Sequence, residues 1–360
     1  MKEVVEFITG LSFIEGRMAR ELPRKAEDEE PNFWKGLARD LLVAAIVVVL
    51  VLVAIYAYAG VWPPLVVVES SSMQHGGQES FIGVIDTGDM VFQQAASDPG
   101  SVVTYLEGRA TGYQTYSDFG DVIIFRRASN PTPVIHRAIL HIVLNADGTA
   151  DVPALAGLPE SEWEGSDSFG QVTHNTTSLR YVTIHGMGYA RDLGITFDLG
   201  AFATPGRTEG YITMGDNNAY LYCSVSRDPC RPSPPYDQGW LVRPGDIIGR
   251  ARGELPWFGL LKLVFSPTES CCTGWGDREA PKNSWDLLLA SMLFLIALPF
   301  LLEYASLGWT KYVSPRMPKI AWPWRRRRVE GATPGASRDP AKPPAPESSE
   351  GPPKEGSSGP

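Results

Sequence analysis

The chain has 360 residues and a net charge of −9, from 41 acidic and 32 basic side chains. This acidic balance disfavours a nucleic-acid-binding protein, which would present a basic face. Four cysteines and five histidines exclude a disulfide-dense scaffold and leave little material for metal sites. No motif predicts a cofactor or a bound metal ion. Lysine is scarce, with none between Lys35 and Lys262.

Two long apolar segments predict transmembrane helices. Residues 41–60 form a run of twenty residues without a charge, which is enough to cross a hydrocarbon core of about 30 Å as a helix. The second run, residues 287–302, has sixteen residues and lies between Trp285 and Trp309, as in an interfacial aromatic belt. We therefore expect helices over 41–61 and 285–305, with a buried core helix as the alternative for the second.

The first apolar segment is predicted to be an uncleaved anchor. It follows about forty mostly polar residues (1–40), its apolar stretch is longer than that of a cleavable signal peptide, and no A-x-A sequence follows it. Residues 1–40 contain one amphipathic stretch, EVVEFITGLSFIEGRM. We interpret this segment as cytoplasmic.

Basic residues predict the orientation of the chain in the membrane. Lys35 and Arg39 precede the first apolar run, and Lys311, Arg316, Lys319 and residues 325–328 follow the second. The positive-inside rule then places both termini in the cytoplasm and residues 62–284 outside. Residues 63–284 carry 15 basic and 25 acidic side chains. The tail, residues 306–360, is first basic and then, from 329, too poor in apolar residues to bury a core, which predicts disorder.

All four cysteines fall in the predicted outer segment, where disulfides can form. Because neighbouring cysteines rarely bond each other, we predict that Cys271 and Cys272 link to Cys223 and Cys230, with free buried thiols as the alternative. A glycosylation sequon at Asn175 is consistent with an exposed position.

The outer segment is predicted to be mainly β. Short runs rich in Val, Ile and Tyr are bounded by Gly, Pro and Asp, which is typical of strands. The candidates are residues 65–68, 89–92, 121–125, 134–143, 181–185, 210–214 and 246–250. Residues 95–118, 144–180 and 190–208 are interpreted as insertions or long loops. The apolar stretch 255–265 predicts either an interfacial segment or a core strand.

Long helices do not alternate with the predicted strands, and there is no G-x-S-x-G sequence. Both observations disfavour a doubly wound α/β hydrolase. The outer segment is therefore expected to carry its chemistry on a different kind of scaffold.

Three consecutive hydroxyls, Ser70, Ser71 and Ser72, follow a short apolar strand just beyond the first predicted helix. A serine nucleophile needs a base within hydrogen-bond reach, because the free hydroxyl is a poor nucleophile at neutral pH. The outer segment offers only two lysines: Lys262 lies in an apolar stretch and Lys282 adjoins the second apolar run. A histidine base is therefore expected.

His136, in the β-like run VIHRAI, is the candidate base. His141, His174 and His185 are interpreted as structural residues, and His75 as a surface turn residue. A carboxylate normally orients a histidine base. Asp216 in MGDNN and Asp237 in YDQG are the two candidates, although both sequences are also typical of turns.

In order along the chain come SSSMQH after a predicted span, DTGDMVF, GDVIIFR, VIHRAI, MGDNN, YDQG and VRPGDIIGRA. This order resembles type I signal peptidases, and specifically the archaeal and endoplasmic-reticulum branch, in which histidine replaces the lysine of the bacterial enzymes. The resemblance extends over about residues 62–265. It implies a signal-peptidase-like β-fold with long insertions, and serine endopeptidase activity on preproteins with small residues at −1 and −3.

The resemblance also implies roles for individual residues. Ser72 matches the nucleophile and His136 the base, while Asp237 matches the third triad member and Asp216 the acid of the GDNN box. Ser70 matches the hydroxyl that assists the oxyanion hole, with the Ser72 N–H as the second donor. The chain departs from many relatives in having Gln74-His75 where a proline is common, and in a cysteine-containing insertion at residues 220–235.

The implied partners are signal peptides of secreted preproteins, the lipid bilayer of the cell membrane and the Sec translocation machinery. Two other functions stay open. One is a Ser/His processing protease with other substrates, and the other is a non-catalytic membrane-anchored β-domain that acts as a receptor or assembly factor. A transporter is disfavoured, because only two spans are predicted and the first has no charged residue.

Overall fold

The computed structural model describes residues 33–96, 100–127, 130–203, 205–223, 229–230, 240–268 and 270–313. The amphipathic N-terminal stretch, the arginines at 325–328 and the predicted disordered tail lie outside these residues. Two compact units make up the chain, Met1–Ile296 and Ala297–Pro360. The first unit contains every described strand. The described part of the second is helical and ends in a π-helical turn, Trp309–Val313.

Five α-helices occur in the described residues: α1 (Phe33–Ala59), α2 (Tyr105–Thr111), α3 (Asp216–Tyr222), α4 (Gly259–Phe265) and α5 (Lys282–Gly308). By length and composition, α1 and α5 are able to cross a membrane. Both are longer than the apolar runs that predicted them. Most side chains of α1 are exposed, which is unlike the core helix of a soluble domain.

The strands are short apart from one, and all their pairings within sheets are antiparallel. In chain order they are β1 (Leu65–Val67), β2 (Met90–Gln94), β3 (Gln114–Thr115), β4 (Asp118–Phe119), β5 (Val122–Arg127), β6 (Asn130–Leu144), β7 (Ala150–Asp151), β8 (Trp163–Ser166), β9 (Val172–Thr173), β10 (Tyr181–Met187), β11 (Leu193–Asp198), β12 (Glu209–Met214) and β13 (Ile247–Leu255). All seven predicted strands are confirmed, with ends shifted by a few residues.

The main sheet has seven strands in the order β1-β2-β13-β5-β6-β12, with β7 added to β6. Its central strand β5 is buried on both faces, which explains its continuous apolar sequence. Side-chain alternation sends Val122 and Ile124 into one core cluster and Ile123 and Phe125 into another. The prediction of a β-rich outer segment is therefore confirmed, and the structure adds that its sheets are antiparallel.

The predicted long loops hold more structure than the sequence suggested. Residues 144–208 contain a second sheet of four strands, in the order β11-β10-β8-β9. Residues 95–118 contain α2, which begins with a capping box between Thr104 and Glu107 and ends at Gly112 with φ 81°. The interpretation of these stretches as loops was wrong, because the second sheet depends on pairings between distant short strands.

The stretch 255–265 does not form the core strand that was one alternative, apart from Leu255 at the end of β13. Most of it is helix α4, whose Leu260 and Leu263 pack in one buried cluster with Trp285 and Leu288 of α5. Trp285 is 4% exposed, so its interpretation as an interfacial belt residue was wrong. The apolar face of α4 instead attaches the β-domain to the first turns of α5.

The predicted disulfide pairing was also wrong. Cys223 bonds Cys230, seven residues along the chain, and Cys271 bonds its neighbour Cys272. The two pairs belong to different core clusters: the first lies beside the second sheet, and the other packs with α4 and α5. That separation prevents the crossed links that the sequence suggested.

Candidate active site

A single 3-10 turn, Ser71–Met73, carries the predicted nucleophile, and we call it the serine turn. It follows β1, where the Val68 N–H donates to Asp89 O at 2.9 Å. Met73, the last residue of the turn, is 1% exposed and packs in the core of the main sheet. The turn is thus fixed on both sides, while Ser72 stays partly exposed.

Ser72 and His136, 64 positions apart in the chain, meet in the structure. Ser72 Oγ lies 3.2 Å from His136 Nε2. This is at the long end of the range over which a histidine can accept a hydroxyl proton, and such distances are often looser without substrate. Ser70 Oγ donates to Ser72 Oγ at 3.3 Å. The predicted nucleophile, base and assisting hydroxyl are therefore adjacent.

The main sheet positions His136. The residue lies on β6 directly opposite Ile123 of β5, and it is 6% exposed. Its ring centroid is 6.4 Å from that of Phe125. Because the imidazole projects from a central part of the sheet, its position is set by strand register rather than by a mobile loop.

A cleft of about 590 Å³ opens over these two residues. One wall comes from β1 and the residues around it, including Val66, Val67 and Ser70, and another from β6 between Thr132 and His136. The β1 wall is also a sheet edge, because β1 pairs only with β2 among the described strands. An extended peptide can therefore approach Ser72 along a strand edge.

Asp216, a predicted catalytic acid, does not contact His136 in the described structure. Its carboxylate accepts from Arg137 Nε at 2.8 Å and from Arg137 Nη2 at 2.6 Å. Burial raises the pKa of Asp216, but the charge and hydrogen bonds of Arg137, with the hydrogen bond from His75, outweigh it and hold that pKa well below its usual range. Asp216 is thus a buried, ionised partner of the residue that follows His136.

His75 is a site residue that sequence reasoning missed. Its Nε2 lies 3.0 Å from Asp216 Oδ2, and its ring stacks on Tyr189 with centroids 4.2 Å apart. The interpretation as a surface turn residue was wrong. No local signal identifies this role, because its partner lies 141 positions away.

The first turn of α3 holds the serine turn through two further contacts. Asn217 Nδ2 donates to Ser71 O at 2.9 Å. Gly215 lies so close that a Cβ added to it would overlap Ser72 O. In the GDNN sequence, Gly215 and Asn217 therefore hold the serine turn in place, and Asp216 does not orient the His136 imidazole.

Asp237, the other predicted acid, lies outside the described residues. Two cations that line the cleft were not predicted as site residues: Lys262, whose Nζ is 2.7 Å from Glu69 Oε1, and Arg127 at the end of β5. For Lys262, the signal in the sequence was a single charged residue within an apolar run.

Within the described ranges, no three His, Cys, Asp or Glu side chains come together as a possible metal site. A hydroxyl beside an imidazole, at the edge of an open sheet, is an arrangement suited to nucleophilic acyl transfer.

Comparison of the chain with models of known protein families gives no match. Comparison with curated proteins gives no match either. Support for a function therefore comes from the geometry of the cleft and from the order of the sequence motifs.

Proposed function

We propose that this chain is a membrane-anchored serine endopeptidase that removes signal peptides from secreted preproteins, in the manner of archaeal and endoplasmic-reticulum type I signal peptidases. The observation that carries the proposal is the 3.2 Å separation of Ser72 Oγ and His136 Nε2 in an open cleft. The strand before Ser72 begins only a few residues after the long apolar helix α1. This spacing suits a nucleophile that works close to a membrane surface.

The proposed reaction is acyl transfer through Ser72. His136 takes the Ser72 proton as the oxygen attacks the scissile carbonyl, and then gives it to the leaving amine, which becomes the new N-terminus. A water molecule, activated by the same imidazole, then releases the signal peptide from the acyl-enzyme. Asp237 is proposed as the acid that stabilises the imidazolium, while Asp216 acts through Arg137 and the serine turn.

Two donors near Ser72 are proposed to stabilise the oxyanion. The Ser72 N–H lies at the start of the 3-10 turn, where backbone N–H groups have no acceptor within the helix. Ser70 Oγ, 3.3 Å from Ser72 Oγ, supplies the second donor once substrate displaces that contact. Loss of one such donor typically lowers kcat by about 10²–10³-fold.

The substrate is proposed to bind as an extended strand along the free edge of β1. Val66 and Val67 of β1, with Ile135 of β6, line the cleft near Ser72. The preference for small residues at −1 and −3 is carried over from the resemblance to type I signal peptidases.

The proposed location is the cell membrane, with α1 and α5 as two spans, the β-domain outside and both termini in the cytoplasm. The apolar character of both helices supports the membrane assignment. The orientation follows from the basic residues that flank them in the sequence. Contact with the Sec machinery is proposed because preproteins emerge there.

The test is cleavage of a model preprotein by the full-length protein in proteoliposomes, comparing −1 Ala with −1 bulky residues. We expect Ser72→Ala and His136→Ala to lower cleavage by at least about 10³-fold. Ser71→Ala is the matched control, because Ser71 is the adjacent hydroxyl and does not line the cleft. His141→Ala, on the same strand, is the control for His136.

Four outcomes separate the candidate functions. Loss of cleavage in both active-site variants, with a preference for −1 Ala, supports the proposal. Ser72-dependent cleavage without that preference indicates a processing protease with other substrates. Full activity of Ser72→Ala contradicts the proposal, because the reaction would then not pass through Ser72. No cleavage of any substrate also contradicts it and favours a non-catalytic receptor or assembly factor.

A further inference from the structure

The cleft contains two cations that the proposed reaction does not use, and of these Arg127 has no ion-pair partner among the described residues. It is the last residue of β5, and it lines the same cleft as Ser72 and His136. Lys262, the other cation in the cleft, already pairs with Glu69 at 2.7 Å. The positive charge that the cleft can offer to a ligand therefore comes from Arg127.

Arg127 differs from the other arginines of the β-domain. Among the described residues from 62 to 284, seven other arginines are buried or half-buried, and each of them has a carboxylate within 4.0 Å. They are Arg109, Arg137, Arg180, Arg191, Arg207, Arg250 and Arg252. Arg127 is half-buried too, yet no described residue forms an ion pair with it, and its buried Nε has no hydrogen-bond acceptor.

A buried guanidinium N–H without an acceptor is costly, because burial removes its water and no protein atom replaces that water. The same arrangement is favourable once a ligand supplies the acceptor. Guanidinium groups bind carboxylates through two parallel N–H···O bonds, which gives both energy and directionality. The chemistry of Arg127 therefore suits a carboxylate brought in by the substrate.

Strand register fixes how far from the reaction this carboxylate would lie. His136 is opposite Ile123, and Arg127 is opposite Asn130 at the end of the same hairpin. Four residue steps along β5 lead from Ile123 to Arg127, which is at most ~13 Å at ~3.3 Å per residue, because the β5–β6 register shifts between Phe125 and Arg127. An extended substrate rises by a similar amount per residue, so its matching side chain lies about four residues from the scissile bond.

We propose that Arg127 is a specificity-determining residue that binds an acidic side chain of the substrate about four residues from the scissile bond. The inference rests on the proposed peptidase function and adds a substrate preference to it. The β-domain as a whole repels acidic peptides, because residues 63–284 carry 25 acidic and 15 basic side chains. A preference for an acid at one position therefore requires a local cation such as Arg127.

The test uses the full-length protein in proteoliposomes and a set of model preproteins. Each substrate carries a single Glu, Gln or Lys at one position, two to six residues from the scissile bond on either side. The readout is the ratio of kcat/KM for the Glu substrate to that for the Gln substrate at each position. Wild type is compared with Arg127→Gln, with Arg127→Glu and with Arg126→Gln, which changes the exposed neighbour.

We expect the wild-type ratio to exceed one near the fourth position on one side, and to fall about five- to tenfold in Arg127→Gln. Arg126→Gln should keep the wild-type ratio. In Arg127→Glu, a Lys substrate at that position should be preferred over the Glu substrate. A loss that is the same for Glu and Gln substrates would instead mean a main-chain or structural role, and it would overturn the proposal.

The design separates failure of this inference from failure of the proposed function. If the Gln substrates are cleaved in a Ser72-dependent way and the ratio stays near one at every position, only the Arg127 inference is wrong. If no substrate is cleaved, or cleavage persists in Ser72→Ala, the peptidase proposal and the Arg127 inference are both wrong.

Discussion

Two buried acidic regions flank the serine turn, and they differ in whether a cation accompanies them. On one side, Asp216 shares both carboxylate oxygens with Arg137, and its pKa is held well below the usual range. On the other side, Asp86 and Asp89 form no ion pair with a described Lys or Arg. Burial raises the pKa of Asp86 to about 6 and that of Asp89 to about 8.

Burial alone therefore does not decide whether an aspartate near the site is charged. The guanidinium of Arg137 keeps one carboxylate ionised well below the pH range in which an aspartate usually titrates. Asp86 and Asp89, which form no ion pair with a described Lys or Arg, instead have pKa values of about 6 and about 8 in the folded protein. His75 interacts with both regions. Its side chain is hydrogen-bonded to Asp216, and its electrostatic interaction with Asp86 lowers the pKa of that carboxyl.

Removing the paired carboxylate is expected to have the largest effect on stability. In Asp216→Asn, the Arg137 side chain, 1% exposed, keeps its charge without its partner. The cost should be about 3–5 kcal/mol in the free energy of unfolding, measured on the full-length protein in detergent micelles. Asp198→Asn, at a half-exposed pair with Arg180, is the control and should cost less than about 1 kcal/mol. Equal losses of unfolding free energy in the two variants would contradict the expected difference between the buried ion pair and the half-exposed one.

Gly215→Ala tests whether the GDNN segment supports the nucleophile. The new methyl group overlaps Ser72 O, so the serine turn has to shift, and a displacement of about 1 Å can cost about 10²-fold in kcat. Preprotein cleavage measures the effect. Gly245→Ala is the matched control, because a Cβ there meets no atom within 4 Å. Unchanged kcat in Gly215→Ala would show that the turn is held by other contacts.

Asp86→Asn tests the unpaired side through the pH dependence of stability. Because the folded-state pKa of Asp86 is raised to about 6, the folded protein binds a proton more tightly than the unfolded chain, and stability falls as pH rises from about 4 to 6. The variant lacks this loss. Its stability relative to wild type should rise by about 2–3 kcal/mol between pH 4 and pH 7, measured by thermal unfolding. If the stability difference between the variant and wild type does not change with pH, the raised pKa of Asp86 is contradicted.

His75→Ala is expected to have the smallest effect of the four. Asp216 keeps Arg137 as a partner, so the cost should be about 1 kcal/mol from the lost hydrogen bond and the lost stacking on Tyr189. Because His75 does not line the cleft, kcat should fall about threefold while KM stays constant. A change in KM alone would mean that His75 acts on substrate binding instead.

The sequence predicted what local patterns encode. The strands of the main sheet were found because apolar runs end at Gly, Pro and Asp, as in GDVIIFRR, which becomes β5. Ser72 and His136 were found through the order of motifs, and the structure brings them together. The capping box of α2, formed by Thr104 and Glu107, is also a local pattern in the sequence.

The features that the sequence did not predict depend on long-range pairing. The second sheet joins short strands whose partners no local pattern identifies. The contact of His75 with Asp216 and that of Lys262 with Glu69 span 141 and 193 positions. The link of Cys271 to Cys272 ran against the general rarity of bonds between adjacent cysteines. Such contacts follow from the packing of the whole domain.

Covalent labelling of the full-length protein with a serine-directed acylating probe, followed by peptide mass analysis, tests whether His136 activates Ser72. We expect one adduct, on Ser72, whose rate of formation falls at least about 10²-fold in His136→Ala and stays unchanged in His141→Ala. An adduct elsewhere, or equally fast labelling of Ser72 without His136, would show that the hydroxyl and the imidazole do not act as a pair.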